Sequence, residues 1–151
     1  MAPVTQKPRF TVKPAIWATD AGTLCAIRMK VFVEEQHVPL ALEWDGEDER
    51  CEHALVYVPD QTPVGTGRLL PDGRIGRLAV LRDWRRQGAG SALLEYFLQL
   101  ARQKGFAMVK LHAQTRAMAF YARHGFEAHG EEFMDAGIPH VEMSRSFLDR
   151  T

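Results

Sequence analysis

The stretch Arg85-Arg86-Gln87-Gly88-Ala89-Gly90-Ser91 decides the reading of this chain. It follows an apolar segment, Ile75 to Leu81, and opens an amphipathic one, Ser91 to Ala101. That order is a strand, a basic glycine-bearing turn and a helix N-terminus. The first turn of a helix leaves backbone N–H groups unpaired and carries a partial positive charge. Glycines at 88 and 90 remove the side chains that would hold an anion away from those donors, and Arg82, Arg85 and Arg86 add full charges beside them. Such a turn suits a polyphosphate. It is not a P-loop, because the chain has no Gly-Lys-Ser/Thr triplet. Nor is it a Rossmann turn, because Leu93 stands where the third small residue belongs. A glycine pair can also serve only to pack a helix on a strand, so the flanking sequence has to decide.

Beyond the turn, Leu93, Leu94, Phe97, Leu98 and Ala101 share one helical face, and Gly105 behind Lys104 supplies a stop. Met108 to Ala113 reads as a central strand, parallel to the strand Arg74–Leu81 through the helical crossover. Thr115 to His124 reads as a short helix closed by Gly125, with Phe126 packing back over its last turn. Glu127–Met134 and His140–Phe147 read as closing strands. On the other side, Phe10–Trp17 reads as a strand made ragged by Pro14. Thr19 or Asp20 can cap a helix that runs to about Gln36 and ends before Pro39. Ala54–Val58 and Val64–Leu70 resemble an antiparallel meander turned by Pro59-Asp60 and Pro71-Asp72-Gly73. The fold class expected is α/β (α+β), and with neither repeats nor linkers the chain reads as a single domain over residues 1–151.

Composition narrows the function. A chain of 151 residues with 46% hydrophobic content suits one sizeable core. A formal charge of zero argues against a general nucleic-acid binder. No window is long and apolar enough to cross a bilayer, and Met1 to Gln6 lacks the apolar core of a signal peptide. Cys25 and Cys51 are expected as reduced thiols, so a cytoplasmic protein without membrane or nucleic-acid partner is expected. The segment Glu43, Asp45, Glu47, Asp48, Glu49 and Glu52, relieved by Arg50, reads as a solvated loop, or as an anionic rim that draws in a cationic amine.

Three sets of residues carry a family resemblance. Arg85-x-x-Gly88-x-Gly90 resembles the pyrophosphate turn of the GCN5-related N-acetyltransferases, the GNAT superfamily. Phe120-Tyr121-Ala122-Arg123-His124-Gly125-Phe126 resembles the Phe-Tyr-x-x-x-Gly-Phe segment that the family often carries downstream. Val31 to Gln36, Gly65 to Leu69, Leu111 to Gln114, Gly130 to Phe133 and Gly137 to His140 look like the ElaA/YjcF-like branch. The resemblance implies the GNAT fold: a mixed, mostly antiparallel sheet with helices against it, whose two parallel central strands splay apart. It also implies acetyl-coenzyme A (acetyl-CoA) in the splay, and direct transfer of its acetyl group to an amine on a small molecule or peptide.

The same resemblance assigns residues. The pyrophosphate would meet Arg85, Arg86, Gln87, Gly88, Ala89, Gly90 and Ser91, and the pantetheine the strand edge Leu78, Ala79 and Val80. Gln114 stands where many relatives have an asparagine beside the cofactor. Tyr121 would protonate the departing thiolate. Candidates for the general base are Glu34 and Glu35, at the end of the helix that borders the acceptor cleft in this fold, and the strand histidines His112 and His140, of which His112, on one side of the splay, is the most attractive. His53 reads as a structural histidine; Arg68 and Arg77 can pair with Glu34, Glu35 or an acceptor carboxylate, and structural ion pairing is the expectation for both. The spacing of His53, His112 and His140 matches no zinc motif, so no metal is expected. A non-catalytic acyl-coenzyme A sensor, needing Gly88 and Gly90 but not Tyr121, and an enzyme using another acyl group are the alternatives. Relatives often dimerise, and a late strand can pair across a two-fold axis to form a homodimer.

Overall fold

The computed structural model describes residues 9–148. The reading of Met1 to Gln6, and both ends of the 1–151 domain, lie outside the described residues. Strand β1 (Thr11–Ala15) runs antiparallel to β2 (Glu52–Tyr57), with β3 (Pro63–Leu69) and β4 (Ile75–Val80) following in order β1-β2-β3-β4. Pro14 lies in regular register opposite Ala54, tolerated because β1 is an edge strand. A second sheet has the order β5-β7-β6, from β5 (Met108–Gln114), β6 (Glu127–Asp135) and β7 (Ile138–Ser146). The sheets touch through one parallel bridge, Arg74 to Lys110, where Lys110 N–H donates to the Gly73 carbonyl at 3.2 Å. Beyond that bridge β4 and β5 part, which is the expected splay.

Helix α3 (Ala89–Gln103) crosses over from β4 to β5. Its Leu93, Leu94, Phe97, Leu98 and Ala101 are buried in one cluster with Val56, Val64 and Leu69 from the first sheet and Leu111 and Met143 from the second. Burial of each large side chain contributes about 1.5–3 kcal/mol, and this shared core fixes the mouth of the splay. The close fit is visible at Gly65, where an added Cβ would stand 2.8 Å from Val56 Cγ1 and 2.9 Å from the Ala79 carbonyl oxygen. Because backbone cannot yield as a side-chain tip can, Gly65→Ala is expected to destabilise the fold by about 1–3 kcal/mol, readable as a lowered denaturation midpoint.

Strand β4 carries a β-bulge. Thr66 pairs with Ala79 and Arg68 with Gly76, so Arg77 and Leu78 together face Gly67. Arg77 takes the left-handed backbone conformation at φ 51°, and Gly67 leaves room for Leu78, whose Cδ2 would lie 2.8 Å from any Cβ there. A bulge turns the following side chain to a new direction; here it is Leu78.

Helix α1 (Trp17–Arg28) begins earlier than the sequence suggests. Asp20 does not cap it from the first position but accepts from Ile16 N–H at 2.8 Å, one turn back. The helix then widens into π turns over Met29–Glu35. The acidic segment is not simply a solvated loop. Helix α2 (Leu40–Glu43) and a 3-10 turn (Asp48–Arg50) bury Glu43 and Asp48 against Arg28, which is 1% exposed. Arg28 Nε donates to Glu43 at 2.6 Å and Nη1 to Asp48 at 2.8 Å. Arg68 bridges Asp48 (2.8 Å) and Asp45, and Arg77 pairs with Glu43 at 3.3 Å.

Candidate functional site

Two large cavities meet at the splay. The first, about 700 Å³, is lined by Leu78, Ala79 and Val80 of β4, by Arg85, Arg86, Gly88, Gly90 and Ser91 of the turn, and by Phe120, Tyr121 and Arg123 of α4 (Met118–Arg123). Arg86 and Gly88 both take left-handed conformations, at φ 60° and 103°. Gly88 ends as the residue before α3, and the first intrahelical bond runs from Ala92 N–H to its carbonyl at 3.0 Å. The N–H groups of Ala89, Gly90 and Ser91 therefore have no partner within the helix. A Cβ at Gly88 would meet nothing within 4 Å, so that surface is open to a ligand.

Not every residue assigned to the turn faces this cavity. Ala89 is buried in the core, and Gln87 turns its amide back to the Asp83 carbonyl at 3.0 Å. Arg85 lines the cavity, yet its Nε donates to the Val80 carbonyl and its Nη2 to Glu35, both at 2.8 Å. That arginine braces the turn against the π turns of the first helix. Ser91 Oγ lies 3.1 Å from His124 Nε2, whose Nδ1 is 2.7 Å from Glu95. Sequence reasoning missed His124; its place inside the Phe-Tyr-x-x-x-Gly-Phe segment was the available signal.

The second cavity, about 690 Å³, is lined by Phe32, Gln36, Leu78, His112, Gln114, Tyr121 and His140 among others, with charged residues around them. Leu78, Ala117 and Tyr121 line both cavities. The bulge in β4 supplies Leu78 to that junction. Tyr121 is held by edge-on contacts with Phe120 (5.1 Å) and Phe126 (5.9 Å). Burial pushes its phenol up to about 12, so the hydroxyl is protonated at neutral pH.

His112 stands on β5 with its ring edge-on to Phe133 at 5.0 Å. Burial, and then the positive charge of Arg74, lower its pKa below the usual histidine value, which keeps the imidazole neutral. His140 Nδ1 donates to the Ile138 carbonyl at 2.7 Å, and its ring stacks on Phe133. His53 is buried, bonded to the Asp48 carbonyl at 2.8 Å and stacked on Trp17. Gln114 is on the second cavity rather than the first, donating to Gln36 Oε1 at 2.8 Å. Glu34 is exposed and lines neither cavity; its neighbour Glu35 takes the inward place. Neither Cys25 nor Cys51 lines either cavity, and burial pushes the Cys51 thiol up to about 11. Among the described residues no group of three or more His, Cys, Asp or Glu could hold a metal ion, and no helix is long and apolar enough to cross a membrane.

Residues 18–147 match the family described as "Acetyltransferase (GNAT) domain". The chain is similar to two proteins of Bacillus subtilis: the uncharacterized protein YyaT (42% identical, over 90% of this chain and 95% of that one) and the uncharacterized N-acetyltransferase YjcF (39%, over 79% and 87%). Among solved structures it resembles Escherichia coli ElaA, with a TM-score of 0.79 and 27% identity over 91% of this chain and 99% of that one. A GNAT family acetyltransferase from Elizabethkingia anophelis, solved with acetyl-CoA bound, shares the fold at a TM-score of 0.71 and 17% identity, over 93% of this chain and 100% of that one.

Proposed function

Since this chain belongs to the GNAT acetyltransferase family, in its ElaA/YjcF-like branch, and is an N-acetyltransferase, we propose that it moves an acetyl group from acetyl-CoA directly to an amine. The observation that carries this reading is the junction: two cavities of similar size meet at Leu78, Ala117 and Tyr121. One offers a glycine turn, arginines and free helix N–H groups to a polyphosphate; the other offers a neutral imidazole to an amine.

In this reading the N–H groups at 89–91 with Arg86 hold the pyrophosphate, and the edge of β4 from Leu78 to Val80 takes the pantetheine. Thioester activation supplies the driving force for acyl transfer. His112 takes the proton from the acceptor ammonium, since Glu34 stands outside the cavity. The amine nitrogen attacks the carbonyl carbon, the C–S bond breaks, and Tyr121 gives its proton to the departing sulfur. No cysteine lies where it could carry the acetyl group, which supports one-step transfer.

The base assignment has a pH signature. A histidine with a lowered pKa loses its proton at lower pH than a free one, so it serves as a base further into the acid range. The acidic limb of kcat/KM is therefore expected below about pH 6.5, the ordinary histidine value, and is expected to vanish in His112→Gln with a fall of about 10²-fold or more. A limb unchanged in that variant would assign the base elsewhere. Thiol release from acetyl-CoA across a panel of amines tests the function itself: release that depends on an amine supports it, and bound acetyl-CoA with no release contradicts it.

A further inference from the structure

The acceptor cavity contains four arginines, Arg50, Arg68, Arg74 and Arg77. Three of them are tied to carboxylates of the chain: Arg50 to Glu47, Arg68 to Asp45 and Asp48, and Arg77 to Glu43 and Asp45. Arg74 forms no such pair among the described residues. Its Nε is buried without a hydrogen-bond partner, while its backbone is pinned on both sides. Its N–H donates to Asp72 Oδ1 at 3.1 Å, its carbonyl accepts from Leu70 N–H at 2.8 Å, and it forms the bridge to Lys110 at the closed end of the splay. A guanidinium on so fixed a base is pre-organised, and a buried donor without a partner costs stability until a ligand supplies an acceptor. Its uncompensated charge is also felt at His112, whose pKa it helps to lower.

The remaining charges of the cavity describe the rest of the ligand. Asp72 and Asp135 line it and form no ion pair among the described residues. Among the described residues, the lining thus offers one cation and two carboxylates outside ion pairs, which complement a molecule with an anionic end and an ammonium end. Arg74, the lining arginine outside an ion pair among the described residues, offers one charge and suits a carboxylate, whose two oxygens match the guanidinium fork.

Resting on the acetyltransferase reading, we propose that the acceptor is an amine that also bears a carboxylate, and that Arg74 binds that carboxylate while the amine reaches His112 and the junction at Tyr121. The substrate class is that of amino acids and of amines with an appended acid, rather than simple alkylamines or polyamines.

The test uses matched pairs of equal length, ω-amino acids against alkylamines, and α-amino acids against their amides. The wild-type chain is expected to favour the carboxylate member by about 10- to 100-fold in kcat/KM, as expected for a hydrogen bond to a charged group. In Arg74→Gln the ratio is expected to collapse towards one through KM, and in Arg74→Lys to recover in part. Acetyl-CoA binding by the variants reports that they are folded. Equal use of both members by the wild type, or a preference that survives in Arg74→Gln, would overturn the proposal. Calorimetric titration of the same pairs into the protein saturated with coenzyme A gives an answer independent of turnover. Selective binding of the amino acid that Arg74→Gln abolishes supports the site; no binding, or binding indifferent to Arg74, overturns it. Acetyl-CoA binding with no transfer to any amine would contradict the acetyltransferase reading, and the titration would still decide on Arg74.

Discussion

Replacing Tyr121 with phenylalanine is expected to lower kcat for acetyl transfer by about 10²–10⁴-fold, the range for loss of a positioned general acid. The substitution removes only the hydroxyl. The ring keeps its edge-on packing on Phe120 and Phe126, so both the junction and the cavity at the glycine turn keep their shape. Affinity for acetyl-CoA is accordingly expected to change by no more than a few-fold, because the turn and the edge of β4 are untouched. Steady-state thiol release and a direct titration of acetyl-CoA separate the two quantities. A kcat within a few-fold of wild type would reduce Tyr121 to a packing residue. A phenol at about 12 is protonated across the working range, and it is a proton that the departing thiolate needs.

The second large effect is on stability. Arg28 is 1% exposed and joins Glu43 and Asp48, which are themselves buried. Arg28→Met is expected to cost about 3 kcal/mol, because it removes the cation that both buried carboxylates share and leaves Asp48 only Arg68 and Glu43 only Arg77. Denaturant unfolding measures the loss; a cost below about 1 kcal/mol would mean that the existing pairs with Arg68 and Arg77 are enough to compensate the two acids. The same network sets the acid limit of the fold. Burial alone would raise the Asp45 carboxyl, but the hydrogen bond from Arg68, the Glu47 N–H and the charges of Arg68 and Arg77 hold it down at about 2. Asp48 is likewise held low against its burial, by Arg28 and Arg68. A carboxylate with a depressed folded pKa stabilises the fold above its unfolded value and loses that contribution as pH falls towards the folded one. Stability is therefore expected to drop between about pH 4 and pH 2, and the drop to be shallower in Arg28→Met, where much of the network is already broken.

How legible all this was depends on the range of the interactions. The basic turn, the α3 face of Leu93, Leu94, Phe97 and Leu98, and the stop at Gly105 are local features, and the structure places each where the spacing puts it. The splay was legible only through the family resemblance, since nothing local states that β4 and β5 pair at Arg74 and then part. Long-range pairing was not legible at several points. Arg85 carries the charge a phosphate would want, yet it is bonded to Glu35, 50 residues away in sequence. Gln114 stands where many relatives have an asparagine, and its bond to Gln36, 78 positions away, could not be read from the sequence. The acidic segment looked solvated because its partner Arg28 lies inside a helix that otherwise reads as ordinary. Of the two glutamates that end the first helix, Glu34 is exposed and Glu35 turns to Arg85, on a segment of π turns over Met29–Glu35. A widened helix presents residues on a different face from an α-helix of the same sequence, and nothing in the composition marks the widening. Leu78 owes its place at the junction to the bulge at Arg77, a backbone feature that period-two alternation does not show.

The central claim is direct acetyl transfer between two cavities that share Tyr121. A single-turnover experiment tests it most directly: the protein is loaded with one equivalent of acetyl-CoA labelled in the acetyl group, an accepted amine is added, and both protein and amine are followed by mass spectrometry. The account predicts that the label passes to the amine nitrogen with one equivalent of free thiol, and that the protein carries no acetyl group at any time. Label on the protein before the amine is consumed, at Cys25, Cys51 or any other residue, would contradict it.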